Sequence, residues 1–156
     1  MSTVLIVGGG TGGHLFPGLA VAGELRRLGA AVSWLGATRG LEASRVPAAG
    51  IPLRLLPVTG AVGRSAAAQV GAALRMVPAI AAALRHLLRE RPAAVLSVGG
   101  YAALPGALAA AALQLPLVVQ EQNAVPGLTN RLLAPWSAGI ACGFREALAA
   151  LPSLPA

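Results

Sequence analysis

Apolar and polar positions follow two distinct patterns along this chain. Short, continuously apolar runs have the length and composition of buried parallel strands, and they lie at residues 3–7, 31–35, 52–56, 94–98, 117–120 and 138–141. Segments that suit helices separate them, and these lie at residues 17–28, 41–48, 66–90, 105–114, 127–133 and 144–150. Strands that alternate with helices build a parallel sheet covered on both faces. The pattern predicts one α/β domain over residues 1–156 with a Rossmann-like sheet.

One uncharged stretch has the length of a membrane span. No charged residue occurs between Pro92 and Gln120, and such a stretch can cross a bilayer. Glycine and proline interrupt it at Gly99-Gly100, Pro105-Gly106 and Pro116. We therefore interpret it as two buried strands with a helix between them.

Composition narrows the chemistry. All 12 basic residues are Arg and all five acidic residues are Glu, so Lys and Asp are absent. This excludes a Walker-type lysine, a lysine Schiff base and a Ser-His-Asp triad. One cysteine, Cys142, and two histidines make a disulfide framework or a protein-built metal site improbable. We expect neither a metal nor another cofactor.

Charge favours anionic partners. The formal net charge is +7, which attracts anionic lipid or phosphorylated substrates. Nucleic acid is disfavoured, because aromatic residues make up only 3% of the chain and the arginines form no basic run. Gly8 interrupts the first apolar run early, so the sequence predicts no signal peptide and a cytoplasmic location.

The loop over residues 8–14, Gly-Gly-Gly-Thr-Gly-Gly-His, carries the strongest functional signal. It follows the first strand, and Pro17 suits the first turn of the helix after it. Glycines let backbone N–H groups approach an anion, and a helix N-terminus adds a favourable dipole. The loop predicts a site for a phosphorylated or strongly polar ligand.

The same loop leaves a second interpretation open. Gly8, Gly10 and Gly13 satisfy the G-x-G-x-x-G pattern of dinucleotide-binding domains. Such domains also carry an acidic residue at the end of the second strand, which binds the ribose. No acidic residue follows the second strand here before Glu42. Arg39 would suit a 2′-phosphate, so an NADP-binding domain remains an alternative.

Two further loops follow predicted strands at the same edge of the sheet. Gly99-Gly100-Tyr101 repeats the pairing of glycines after a strand, and Tyr101 is the only tyrosine. The segment 120–123, Gln-Glu-Gln-Asn, places four polar side chains at a strand end. Buried polar groups need partners, and a sugar or nucleotide would supply them.

Residues 9–20, Gly99-Gly100-Tyr101 and Glu121-Gln122-Asn123 together resemble the MurG family of glycosyltransferases. The resemblance runs from residue 4 to about residue 142. It implies the N-terminal, acceptor-side half of a two-domain GT-B enzyme, whose C-terminal donor-binding domain is missing from this chain. The implied reaction is an inverting transfer of GlcNAc from UDP-GlcNAc to lipid I, at the cytoplasmic face of the cell membrane, in peptidoglycan synthesis.

The resemblance also implies roles for individual residues. His14 matches the family's loop histidine and is a candidate general base, since an imidazole titrates near neutral pH. Glu121 is the alternative base, or a group that orients the acceptor. The residues expected to bind UDP-GlcNAc or its phosphates are Thr11, Gly12, Gly13 and Asn123. The residues expected to bind the acceptor, besides His14, are Gly10, Gly100, Tyr101 and Gln122. His86 is expected on the surface.

Helix 66–90 carries apolar residues at helical spacing beside arginines. Leu74, Val77 and Ile80, with Arg75 next to them, would rest on an anionic bilayer as a peripheral contact. Packing against the sheet explains the same spacing equally well. Two functions therefore stand beside each other: half of a transferase that is inactive alone, or a non-catalytic subunit that recruits a separate donor-binding chain to the membrane.

Overall fold

The computed structural model describes residues 2–58 and 66–152, except for the side chains of 66–70 and 72. Within that part the strands are β1 (Thr3–Val7), β2 (Ala31–Ala37), β3 (Leu53–Leu56), β4 (Ala94–Ser97), β5 (Leu117–Glu121) and β6 (Gly139–Cys142). They form one parallel sheet in the order β3-β2-β1-β4-β5-β6. This is the Rossmann order, so the predicted fold class is confirmed.

Six α-helices connect and flank these strands in the described part of the chain. They are α1 (Gly12–Arg27), α2 (Glu42–Ala48), α3 (Ala66–Glu90), α4 (Leu104–Ala112), α5 (Leu128–Leu133) and α6 (Arg145–Ala150). The long uncharged stretch consists of β4, α4 and β5, as the sequence predicts. None of the described helices combines the length and apolar character needed to span a bilayer.

The helices cover the two faces of the sheet. Leu5 and Val7 of β1 point into a core that α3 and α4 complete. Ile6, between them, points into the opposite core, which α1 and α2 complete. Successive side chains of a strand point to opposite faces, so a strand that is buried on both faces must be apolar at every position. That requirement explains the continuous apolar runs.

Helix α1 begins five residues earlier than predicted. It starts at Gly12, so Pro17 lies inside the helix and the prediction that Pro17 marks its first turn is wrong. Thr11 is the N-cap, and the first α-type hydrogen bond runs from the Leu15 N–H to the Thr11 carbonyl at 3.1 Å. The second half of the glycine loop is thus the N-terminal turn of α1 itself.

Trp34 holds the start of the glycine loop through a hydrogen bond to the Gly8 backbone. Its side chain is fully buried, and its indole N–H donates to the Gly8 carbonyl at 2.9 Å. A Cβ on Gly18 would lie 2.6 Å from the indole ring. Gly18 therefore lets α1 approach β2 closely, which brings the helix N-terminus to the edge of the sheet.

His86 is not the surface residue that the sequence predicts. Only 15% of its side chain is exposed, and its Nε2 lies 3.4 Å from Oε1 of Glu90. The other oxygen of Glu90 accepts a hydrogen bond from Ser33 Oγ at 2.8 Å. The last turns of α3 therefore lie against β2, and this contact partly buries the imidazole.

Candidate functional site

Three loops meet at the carboxyl edge of the sheet, around its topological switch point. They follow β1, β4 and β5, which are neighbours in the sheet. The chain crosses to opposite sides after β1 and β4, and ligands of such sheets bind in the crevice this leaves. The structure therefore brings together the three loops that carry the sequence-predicted site residues.

The first two loops touch through their backbones. Gly8 has φ +137°, and a Cβ there would lie 2.7 Å from the Gly99 carbonyl oxygen. Gly100 has φ +77°, and a Cβ there would lie 2.5 Å from the Gly9 carbonyl oxygen. Both the φ values and the contacts exclude other residue types. The paired glycines of the two loops are therefore explained by this junction.

His14 lies where all three loops meet. Its Nδ1 is 3.0 Å from the Val98 carbonyl oxygen and 3.0 Å from the side-chain amide of Gln122. A Cβ on Gly99 would come within 3.0 Å of Nδ1, and one on Gly100 within 3.1 Å of Cδ2. The half-buried imidazole thus rests on the two glycines after β4.

The contact with the Val98 carbonyl oxygen is the basis on which we assign the tautomer of His14. A carbonyl oxygen can only accept, so Nδ1 must carry the proton and donate to Val98. At the Gln122 side chain it is Nε2 that lies 3.0 Å from Nδ1. Because the two ends of a glutamine amide are distinguished only by their hydrogen bonds, we assign this amide the other way round, with its oxygen towards the same N–H. The lone pair is left on Nε2, which has no hydrogen-bond partner in the described part of the chain.

Glu121 is enclosed by its own loop. It is fully buried, and its oxygens accept four hydrogen bonds, from the backbone N–H and side-chain amide of Asn123, the N–H of Gly127 and the amide of Asn130, at 2.9–3.0 Å. Burial opposes ionisation, but these donors outweigh it and lower the pKa of Glu121 below the ordinary glutamate value. Both oxygens of this ionised carboxylate are engaged within the protein.

Asn123 and Asn130 complete this network. Asn123 is exposed, but its backbone N–H and its side-chain amide both donate inward to Oε1 of Glu121. Asn130 is buried and also donates to the Gln120 carbonyl at 3.0 Å. Asn130 is not among the site residues predicted from the sequence. An amide in the first turn of a helix that follows a polar loop was the available signal.

Glu42 is a second buried carboxylate near these loops, and it is not among the site residues predicted from the sequence. It is fully buried, and it accepts the N–H of Gly10 on Oε2 and the N–H of Ala37 on Oε1, both at 2.9 Å. The N–H of Gly10, expected to face the acceptor, is therefore engaged within the protein.

Tyr101 closes the loop from above. Its ring lies over Gly10, where a Cβ would come within 2.8 Å of it. Its hydroxyl donates to the Arg39 carbonyl at 2.8 Å. Tyr101 thus ties the loop after β2 to the loop after β4 and shapes the wall beside the glycine loop.

The N-terminus of α1 opens toward solvent between these loops. Thr11 and Gly13 are exposed, and no side chain caps the helix. The first N–H groups of a helix have no partner within it, so those of Gly12 and Gly13 can donate to an anion. Among the described residues, no group of three or more His, Cys, Asp or Glu side chains could hold a metal ion.

The residues expected to contact a membrane differ in exposure. Leu74 and Val77 of α3 are 70% and 69% exposed, and Arg75 between them is exposed. Ile80 is half-buried, because the helix turns toward Ala79 and Ala83, which are in the core. The apolar positions of α3 therefore divide between the core and an exposed strip.

The fold and the three loops define a Rossmann-like domain with a candidate ligand site at its switch point. Residues 4–142 match the Glycosyltransferase family 28 N-terminal domain. The chain belongs to this family.

Relatives define the kind of enzyme it resembles. A protein of Xylella fastidiosa strain Temecula1 is 51% identical over 141 residues, which are 90% of this chain and 39% of that protein. One of Alkalilimnicola ehrlichii is 52% identical over 141 residues, 90% of this chain and 40% of that protein. Both are named UDP-N-acetylglucosamine–N-acetylmuramyl-(pentapeptide) pyrophosphoryl-undecaprenol N-acetylglucosamine transferase. This chain thus spans about two-fifths of the length of these relatives.

A solved structure agrees with the sequence relatives. The crystal structure of MurG from Acinetobacter baumannii superposes with a TM-score of 0.85 at 34% identity. The match covers 98% of this chain and 44% of that one. The resemblance inferred from the three loop motifs is therefore confirmed for the family and the fold.

Proposed function

We propose that this chain is the acceptor-side domain of an inverting transferase that moves GlcNAc from UDP-GlcNAc to lipid I and so forms lipid II. The transferase activity named for relatives about 50% identical to it supports this, as does the arrangement of the three loops. A second domain, of the size that the relatives have beyond the matched part, would supply most of the donor pocket. Alone, the chain would bind acceptor and transfer sugar poorly.

His14 is the proposed general base. The observation that carries this assignment is the contact between Nδ1 and the Val98 carbonyl oxygen at 3.0 Å, because it leaves the lone pair on Nε2. Glu121 is the weaker candidate, since its two oxygens already accept four hydrogen bonds. Glu121 is instead proposed to hold the loop that carries Gln122 and Asn123.

The transfer step then follows from ordinary glycosyl chemistry. Nε2 of His14 takes the proton of the acceptor 4-hydroxyl while that oxygen forms a bond to C1 of GlcNAc. The bond between C1 and the phosphate oxygen breaks on the opposite face, so the configuration at C1 inverts and UDP leaves with the bonding electrons. Backbone N–H groups of Gly12 and Gly13 would bind a pyrophosphate oxygen at the N-terminus of α1.

The test is acceptor binding by the chain itself. Binding to nanodiscs is measured with and without a lipid I analogue, for the wild type and for His14→Ala. We expect lipid-I-dependent binding in the wild type and about tenfold weaker binding in the variant, because the hydrogen bond between the acceptor hydroxyl and Nε2 is lost. His86→Ala, which removes the other histidine, is the matched control. Equal binding to discs with and without lipid I, by folded protein, would refute the acceptor role.

A peripheral membrane contact through α3 is proposed as part of the same function. Leu74 and Val77 are exposed apolar side chains that flank Arg75, a combination that suits an anionic lipid surface. The complementary proposal, a non-catalytic recruiting subunit, predicts the same contact. The two proposed functions are distinguished by whether His14→Ala weakens binding to lipid I.

The double variant Leu74→Glu, Val77→Glu tests this contact. We expect cosedimentation with phosphatidylglycerol vesicles to fall about tenfold, because two apolar side chains become charged at the lipid surface. Val125→Glu is the matched control, since Val125 is a comparably exposed valine, at 79%, that lies in the loop after β5 and not on α3. Ile80→Glu is less suitable because Ile80 is half-buried. Unchanged sedimentation of the double variant, or an equal loss in the control, would contradict a specific contact.

A further inference from the structure

The burial of the Glu42 carboxylate is unfavourable for the stability of the fold. Its carboxylate is fully buried, and no cation forms an ion pair with it in the described part of the chain. Two backbone N–H groups are its hydrogen-bond donors there. Burying a carboxylate without a counter-charge costs stability, so its position calls for an explanation beyond packing.

Three glycines make room for this carboxylate. A Cβ on Gly9 would lie 2.6 Å from the carboxyl carbon of Glu42, and one on Gly36 would lie 2.6 Å from its Cγ. A Cβ on Gly40 would overlap Oε2. Gly9 lies in the loop after β1, Gly36 in β2 itself and Gly40 in the loop after β2, so two loops and the end of a strand are shaped around one side chain.

The hydrogen bond to Gly10 fixes the glycine loop. Gly10 has φ +91°, and it directly precedes Thr11, the N-cap of α1. Holding the N–H of Gly10 on Oε2 therefore sets the direction in which the chain enters the helix. That direction determines where the N–H groups of Gly12 and Gly13 and the imidazole of His14 meet a substrate.

We propose that Glu42 is a positioning residue for the transfer site: its buried carboxylate orders the glycine loop for pyrophosphate recognition at the N-terminus of α1. This inference rests on the proposed function. Glu42 touches no substrate and acts through Gly10. UDP and a lipid-linked pyrophosphate share the chemistry recognised there.

Charge and position predict opposite results, which makes the proposal testable. Glu42→Gln removes a negative charge near an anion site, and electrostatics alone would then strengthen anion binding. It also places an amide NH2 against the backbone N–H of either Gly10 or Ala37. Because two donors cannot bond to each other, the glycine loop is no longer held. Loss of positioning therefore weakens binding, whereas a purely electrostatic role strengthens it.

The experiment titrates the chain with inorganic pyrophosphate, UDP and geranyl pyrophosphate, following backbone amides by NMR. We expect wild-type shifts at Thr11, Gly12 and Gly13, and about tenfold weaker binding in folded Glu42→Gln, the equivalent of one hydrogen bond to a charged group. Separate UDP and geranyl pyrophosphate titrations tell which substrate uses the loop. The control is Glu24→Gln, which changes an exposed glutamate on α1 and should bind the three probes as the wild type does.

A second variant moves the carboxylate without removing its charge. Gly40→Ala would push the carboxylate of Glu42 off the Gly10 N–H, and it should weaken binding to a similar degree. Gly23→Ala, at which a Cβ meets no atom within 4 Å, is its control. Gly40→Ala decides the matter if Glu42→Gln does not fold.

The outcomes separate the two proposals. Equal or tighter pyrophosphate binding in the folded variants, with wild-type shifts at Gly12 and Gly13, would overturn the positioning role alone. A wild type that binds none of the three probes would overturn pyrophosphate recognition by this loop, and the role of Glu42 with it.

Discussion

The two buried glutamates of the site hold their loops in different ways. Glu121 accepts four hydrogen bonds, all from residues within nine positions along the chain. Glu42 accepts one from Ala37, five residues away, and one from Gly10, 32 residues away. Both side chains are fully buried. Glu121 therefore organises its own loop, whereas Glu42 joins two loops that follow different strands.

This difference affects how each loop depends on the rest of the fold. The donors to Glu121 come from the loop itself and the first turn of α5, so this network needs little beyond the end of β5. The bond between Glu42 and Gly10 requires β1 and β2 to be paired, since those strands deliver the two loops. Loss of Glu121 should unravel one segment, and loss of Glu42 should separate two segments that stay otherwise intact.

The largest expected effect is that of Glu121→Gln on stability. A glutamine places an NH2 group against N–H donors and removes the charge that strengthens their bonds. We expect the free energy of unfolding at neutral pH to fall by about 3 kcal/mol, measured by urea denaturation. Glu24→Gln, which breaks only an exposed ion pair with Arg27, should leave the free energy of unfolding almost unchanged, because water screens such a pair. A loss for Glu121→Gln as small as this control would contradict the network.

Local patterns predicted the fold and the position of the loops. Every predicted strand and helix occurs, because runs buried on both faces must be apolar and helices between them must be amphipathic or small. The predicted start of α1 was wrong. A proline such as Pro17 is typical of the first turn of a helix, but Gly12, Gly13 and His14 before it already have helical backbone. The Glu121 loop was recognisable, because its polar residues are adjacent in sequence.

Long-range contacts limited the prediction of the site. The partner of Glu42 lies 32 residues away, and the contact between His14 and Gln122 spans 108 residues. No periodicity or spacing encodes such pairs. The half-burial of His86 has the same origin, since it depends on Glu90 and Ser33, which lie 57 residues apart.

Glu42→Gln should destabilise the domain less than Glu121→Gln does. Two hydrogen bonds are disturbed rather than four, so we expect a loss of about 2 kcal/mol in the free energy of unfolding. The same urea denaturation measures both variants under one condition. A loss equal to or larger than that of Glu121→Gln would mean that the junction between the loops, rather than the self-contained network, dominates the stability of the site.

The smallest effect, and the most specific, is the pH dependence of the Glu121 contribution. The folded state holds the pKa of Glu121 below its ordinary value, because donors from Asn123, Gly127 and Asn130 outweigh the cost of burial. A lowered folded-state pKa gives stability that is fully present above the unfolded-state pKa and is lost as pH falls through the folded-state value.

The stability difference between the wild type and Glu121→Gln should therefore be constant from pH 7 to about pH 5. Below about pH 4.5 it should shrink, because the unfolded wild-type chain takes up a proton there and the folded Glu121 does so only at its lowered pKa, so the advantage of the charged acceptor is lost. Other carboxylates titrate equally in both proteins and cancel in the difference. A difference that stays constant down to pH 3, or grows on acidification, would show that Glu121 stabilises its loop through shape and not through its charge.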